Sequence, residues 1–283
     1  MLGTRTAHSR LDRRLVAAGL FAFCALGMFA LPTSLEARSL EDAKKSGKLI
    51  AGVSGDNPPF GFVDTSGTQQ GYDADIQRAF AKSLGLEVQF AQLSLAARIP
   101  SLLSQKVDIL IAGLGMTEER AKSVQYTVPY LETKMYVVAA KPVKISAPAE
   151  LAKFVLGTPR SSTLDTMLTA AAPKGSDIRR FDDDPASIQA LLSGQVQAIA
   201  ANQFTVERLE ERSPGTYEVK LLLGNVWYGG ATRRGEKDWN QAFNAFFESF
   251  RSTDEFRAIY RKWMKSDIPT FPDKVEGISF EAK

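Results

Sequence analysis

Three places in the sequence gather groups able to hold a small anion. The first runs Ala112-Gly113-Leu114-Gly115-Met116-Thr117-Glu118-Glu119-Arg120. Gly113 and Gly115 let backbone N–H groups approach a ligand closely, and Thr117 is a natural helix N-cap whose positive end favours an anion. Arg120 falls in the first turn of that helix, and its planar fork can grip a carboxylate through two parallel hydrogen bonds. The same segment also reads as an exposed helix whose Arg120 merely pairs with a neighbouring Glu. The second place is Gly157-Thr158-Pro159-Arg160-Ser161-Ser162-Thr163, where hydroxyls and successive N–H groups make an oxygen-binding cradle or, equally, a helix cap. The third is Asn202, a polar residue closing an apolar run, suited to a ligand or to capping the next helix.

Each of these sits where a strand should end. Leu49–Val53, Leu86–Phe90, Val107–Ile111 and Phe154–Thr158 read as short buried strands, and 75–84 and 96–104 as helices between them. Such alternation predicts a largely parallel sheet covered on both faces, with ligands beyond the carboxyl ends of the strands. The segment Ile99–Gly113 recurs 89 residues later as Ile188–Asn202, with six of fifteen pairs identical and three others, in the strand, apolar in both copies. Both copies read as a helix feeding a buried strand, so the chain is expected to hold two related α/β lobes. Tyr136–Lys141 and Val219–Leu223 are the expected crossings between lobes, followed by a strand over 228–232 and helices over 238–251 and 254–264. Two crossings make a hinge that permits bending and restricts sliding. The aromatic residues Trp239, Phe243, Phe246, Phe247 and Phe250 lie on helical faces and read as core.

Residues 1–37 read as a signal peptide. Arg5, Arg10, Arg13 and Arg14 precede an apolar run ended by Pro32, with Leu35-Glu36-Ala37 as a processing site near Ala37. The pair Arg13-Arg14 hints at twin-arginine export. The single histidine (His8) and single cysteine (Cys24) both lie in this leader, so the remaining chain has neither imidazole nor thiol. Serine triads and His–Cys metal sites are excluded by that inventory, and neither a cofactor nor a metal is expected. The formal charge of +3 falls to +1, with 31 Lys/Arg against 30 Asp/Glu, which gives no support to a nucleic-acid groove.

The chain resembles the polar-amino-acid solute-binding proteins of bacterial ABC uptake systems (extracellular solute-binding family 3). The matching pieces are Asn57-Pro58-Pro59-Phe60, Gly71-Tyr72-Asp73-Ala74-Asp75-Ile76, Ile99-Pro100-Ser101-Leu102, Val107-Asp108, Gly115 to Arg120, and Tyr260-Arg261-Lys262-Trp263. The resemblance implies an α/β, type II periplasmic-binding-protein fold with two lobes joined by a two-crossing hinge. Lobe 1 is expected over 38–138 and 225–283, and lobe 2 over 139–224. It also implies a monomeric periplasmic protein that captures a small carboxylate, such as an amino acid, and passes it to an ABC transporter permease. By that resemblance Arg120 holds the ligand α-carboxylate, helped by N–H groups around Gly113, Gly115 and Thr163, with Ser162 and Asn202 joining on closure.

This sequence departs from the family pattern at the ligand. Family members carry an acidic residue where Asn202 stands, an aromatic at Asn57 and at Leu95, and a hydroxyl at Gly115. Asp56 is the expected substitute for the missing negative charge, unless the ligand lacks a cationic amine. A rival reading is an enzyme resembling periplasmic cyclohexadienyl dehydratases, in which acid chemistry would fall to Asp56, Asp73 or a Glu. No paired-carboxylate spacing calls for it, and the chain is read as a binding protein.

Overall fold

The computed structural model describes residues 37–282, so the expected leader, apart from Ala37, lies outside the described residues. Among the described residues no helix is long and apolar enough to cross a membrane. The chain enters through α1 (Leu40–Ser46), which Ser39 and Asp42 close with a reciprocal capping box. Next come β1 (Lys48–Val53), the short strands β2 (Asp56–Asn57), β3 (Gly61–Val63) and β4 (Gln69–Gln70), α2 (Tyr72–Ser83) and β5 (Glu87–Gln92). A 3-10 turn at Leu95–Ala97 leads into α3 (Arg98–Leu103), then β6 (Ile109–Leu110), α4 (Glu118–Ala121) and β7 (Val124–Ala140). The next elements are β8 (Leu156–Pro159), α5 (Thr163–Ala171), β9 (Ile178–Phe181), α6 (Asp184–Leu192), β10 (Ala198–Asn202), α7 (Gln203–Arg212) and β11 (Tyr217–Arg233). Helices α8 (Lys237–Phe250) and α9 (Asp254–Met264) complete the regular structure.

The strands follow the order β5-β1-β6-β11-β7-β10-β8-β9. Strands β5, β1 and β6 run parallel at one end, and β10, β8 and β9 run parallel at the other. The antiparallel pair β7 and β11 joins the two groups, meeting β6 through Ala231 and β10 through Met135 to Ala139. The architecture is therefore two α/β lobes with two crossings, as the sequence suggested. The crossings are longer than expected: the runs over 219–223 and 228–232 are parts of one 17-residue strand. Register shifts between Val219 and Leu221, and again around Gly224, Gly229 and Gly230, absorb the irregular sequence without breaking the ladder.

The internal repeat is visible in three dimensions. Its two copies are α3 leading to β6 and α6 leading to β10. Gln105 (φ 62°) and Gly194 (φ 75°), which are repeat partners, both turn the chain through the left-handed region after the helix. The structure also explains why distant family motifs travel together. Tyr72 donates to the Tyr130 carbonyl at 2.8 Å and meets the Tyr260 ring edge-on. Asp75 accepts from the Trp263 indole at 2.7 Å and from Lys262 at 3.0 Å, clamping α9 onto α2. Trp239, Phe243 and Phe247 are fully buried and Phe250 nearly so, in the core under the first lobe's sheet, with Phe246 packed against them.

Asp108, in the loop feeding β6, ties that strand to β1. Its carboxylate accepts from the Ile50 backbone N–H at 2.8 Å and pairs with Arg38, whose guanidinium also reaches the Lys48 carbonyl. Replacing Asp108 with Ala leaves the Ile50 N–H unpaired and frees Arg38. A loss of about 2–3 kcal/mol is expected, since hydrogen bonds to charged groups contribute on this scale. Urea denaturation should show it as a lower midpoint at unchanged slope, and an unaltered midpoint would refute the clamp.

Candidate functional site

Six of the nine sequence-predicted residues line one cavity between the lobes. Asn57, Leu95 and Gly113 come from the first lobe and Ser162, Thr163 and Asn202 from the second, around a narrow space. Met135, Leu164, Tyr228, Arg98 and Asp184 complete its walls. Arg120 lies at the mouth, in an adjoining recess shared with Leu95, Arg98, Ser161 and Ser162. Gly115 and Asp56 line neither space.

Thr117 caps α4 by accepting from the Arg120 backbone N–H, so the Arg120 side chain starts at the ligand end of that helix. Its guanidinium spans the gap. One terminal nitrogen donates to the Gly115 carbonyl at 2.8 Å and to Thr163 Oγ1 at 2.9 Å, and the other donates to the Ser161 carbonyl at 2.9 Å. Arg120 thus faces the interlobe seam, bonded to both sides of it. Gly115 sits directly beneath, and a Cβ there would overlap Thr163 Oγ1 and lie 3.0 Å from Val226 Cγ1. The missing side chain is what lets Thr163 come this close.

The second lobe supplies helix starts. Ser162 caps α5, accepting from the Asp165 N–H at 3.1 Å and donating to the Pro159 carbonyl. Asn202 caps α7, accepting from the Thr205 N–H at 2.9 Å. That role uses its oxygen, and its buried amide borders the cavity. Gly113 adopts φ 58° with its Cα facing the rings of Phe60 and Tyr228. Its N–H stabilises the Asp73 carboxylate, which also accepts from the Tyr130 hydroxyl. Burial nonetheless raises Asp73 to about 7.

Two site residues escaped the sequence reading. Arg98 is 3% exposed, and its guanidinium folds over the end of β6, donating to the Ala112 carbonyl at 2.6 Å and the Gly113 carbonyl at 3.1 Å. Burial lowers its pKa to about 10, and the nearby positive charge of Arg120 adds to that. Asp184, the first residue of α6, is 7% exposed and accepts from Asn57 Nδ2 at 3.1 Å across the gap. Burial raises it to about 6, opposed by Arg208 and Arg98 and reinforced by Asp56 and Asp183. Asp56, the residue expected to carry the cleft's negative charge, is solvent-exposed, with its carboxyl held above its ordinary value by partial burial and by Asp183. The acid in the cavity wall is Asp184. The lone Arg98 in an otherwise apolar helix was an available signal, whereas Asp184 stands in the run Asp182-Asp183-Asp184 and offered none.

Two outcomes follow from this geometry. In Gly115→Ala, overpacking against Thr163 should cost closure about 1–3 kcal/mol. Small-angle scattering would then give a larger radius of gyration than wild type, and identical curves would exclude the wedge. Asp184 predicts a pH effect. Its pKa in the closed form lies above the ordinary value near 4, so closure is most favoured below that value and weakens as pH rises through 6, by roughly 2–3 kcal/mol at most. The empty protein should be more compact at pH 5 than at pH 7.5, and Asp184→Asn should abolish the difference.

Comparison with known proteins agrees with this geometry. Residues 49–266 match the model of the bacterial extracellular solute-binding proteins, family 3. The L-cystine-binding protein TcyJ of Escherichia coli K12 is 24% identical over 253 residues, covering 88% of this chain and 95% of that protein. Among solved structures, the solute receptor for L-cysteine of Neisseria gonorrhoeae superposes with a TM-score of 0.74 at 28% identity, covering 80% and 93% of the two chains. An ancestral amino acid-binding protein, AncCDT-1, described as a precursor of cyclohexadienyl dehydratase, gives 0.73 at 25% identity, covering 79% and 98%. A continuous match over this span, on a two-lobed fold with its cavity at the seam, places the chain in family 3 of the bacterial extracellular solute-binding proteins.

Proposed function

We propose that the chain is a periplasmic receptor that captures a small carboxylate, specifically an amino acid, between its lobes and delivers it to an ABC transporter permease. The observation that carries this reading is the placement of Arg120. Its fork lies in the seam, with donors directed at oxygen atoms of both lobes where a ligand carboxylate would take their place. The names of relatives support it, since proteins similar to this one over most of its length are described as amino-acid receptors. The lobes are taken as 38–138 with 225–283, and 139–224, so that Thr163, Ser162 and Asn202 meet the ligand only on closure. Ligand then shifts the population towards the closed form, the form a permease would recognise. The protein acts as a monomer in this scheme and needs no cofactor.

A thermal-shift screen of amino acids, amine-free acids and dicarboxylates tests the reading, because a ligand that binds only the folded state raises its melting temperature. Arg120→Ala should leave the fold intact and weaken the best ligand by about 2–5 kcal/mol, the cost of a buried charge losing its partner. Calorimetry showing unchanged affinity would remove Arg120 from the site. Turnover of prephenate or arogenate to an aromatic product would replace the receptor reading with an enzymatic one.

A further inference from the structure

Beyond the carboxylate grip at Arg120, the cavity walls carry a second charge pattern, which rests on the same receptor reading and sharpens it. Arg98 is more than nine-tenths buried, and two of its three guanidinium nitrogens are satisfied by carbonyls of the first lobe. The remaining nitrogen, Nη2, finds no hydrogen-bond partner among the described residues, although Arg98 lines both the cavity and its mouth. Asp184, also more than nine-tenths buried, meets it from the second lobe. Asn57 Nδ2 satisfies one Asp184 oxygen, while Asn57 Oδ1 is buried and unpartnered.

Five charged side chains line the cavity and its mouth; Glu119 and Asp165 are paired outside it with Lys122 and Arg180, which leaves two guanidiniums of the first lobe, Arg98 and Arg120, and the Asp184 carboxyl of the second facing the gap. A single ligand carboxylate cannot satisfy both forks, and a buried charge left without a partner is costly. A cationic side chain on the ligand would face Arg98 and be repelled. The complement is a molecule with two acidic groups and one ammonium.

We propose that the ligand is an amino acid with a second acidic group, whose side-chain acid is held by Arg98 while Asp184 and the Asn57 side-chain oxygen receive its ammonium. Arg120 keeps the α-carboxylate. In this arrangement Asp184, at the start of α6, supplies the counter-charge that Asn202 lacks. Asp56, Asp183 and Arg208 surround it from outside the cavity and adjust its charge without touching the ligand.

Titration calorimetry on the folded protein with L-glutamate, L-aspartate, L-glutamine, L-arginine and glutarate tests this directly. One of the two acidic amino acids should bind at least roughly 30-fold more tightly than glutamine, a discrimination within reach of one buried charge pair. Arg98→Leu should erase most of that preference, weakening the acidic amino acid far more than glutamine. Asp184→Asn should weaken the acidic amino acid more than it weakens glutarate. Glutamine or arginine binding as tightly as both acidic amino acids would overturn the second-acid proposal and leave carboxylate capture standing. Failure of both acidic amino acids to bind would overturn the second-acid proposal as well, while the broader thermal-shift screen decides carboxylate capture, and the wild-type panel decides the matter even if a variant does not fold.

Discussion

A guanidinium taken out of water must have its N–H groups met by oxygen, and this constraint organises the seam between the lobes. Arg98 and Arg120 approach it from the same side, and the charge of Arg120 adds to burial in holding the Arg98 pKa below its ordinary value. The fold meets most of their demand with main-chain carbonyls: Ala112, Gly113 and Leu95 for Arg98, Gly115 and Ser161 for Arg120. The first lobe's own carbonyls hold the Arg98 fork in position, while Arg120 divides its donors between Gly115 on its own lobe and Ser161 on the facing one. Pre-positioned donors lose little entropy on binding, which is why a few charged hydrogen bonds can dominate recognition here.

Holding those forks rigidly while letting the lobes part requires a joint that bends without slipping. The paired strands β7 and β11 provide it. Fourteen residue pairs link them along their length, so sliding would break an entire ladder, whereas bending strains only the bulges near Gly224 and Gly229. Gly224 adopts φ 147°, a backbone conformation that a side chain would resist, at a register shift midway along β11. A hinge motion at this joint would make and break the contacts that span the seam, those between Arg120 and Thr163, Arg120 and Ser161, and Asn57 and Asp184.

Much of this was legible from residue order. The repeat announced two similar units, and its reality shows in Gln105 and Gly194 making the same left-handed turn. Thr117, Ser162 and Asn202 announced themselves as caps, since a small polar residue before an apolar periodic run has few other uses. The long strands were less visible, because glycines and bulges inside β11 look like strand ends when only neighbouring residues are compared. Arg98 was hidden for a different reason. It precedes Ile99-Pro100 in a segment whose period marks it as packing surface, and nothing local shows that its side chain bends back over the end of β6. Asp184 was masked by Asp182 and Asp183, a run that reads as a solvated helix start until the first lobe is laid against it.

The closed form without ligand is self-consistent yet incomplete, and the incompleteness has a direction. Protein groups satisfy Arg120 and one oxygen of Asp184, so the lobes can meet unaided. Asn57 Oδ1 is buried and unpartnered beside Asp184, and Arg98 Nη2 has no hydrogen-bond partner among the described residues. On the proposed reading, a ligand offering an acid to Arg98 and an ammonium to Asn57 Oδ1 and Asp184 would satisfy both groups at once. Only that difference between empty and filled closure shifts the population, because a ligand interacting equally with open and closed forms would move nothing. On that reading affinity and closure would be set at the same place, and a ligand of the wrong charge would fail at both.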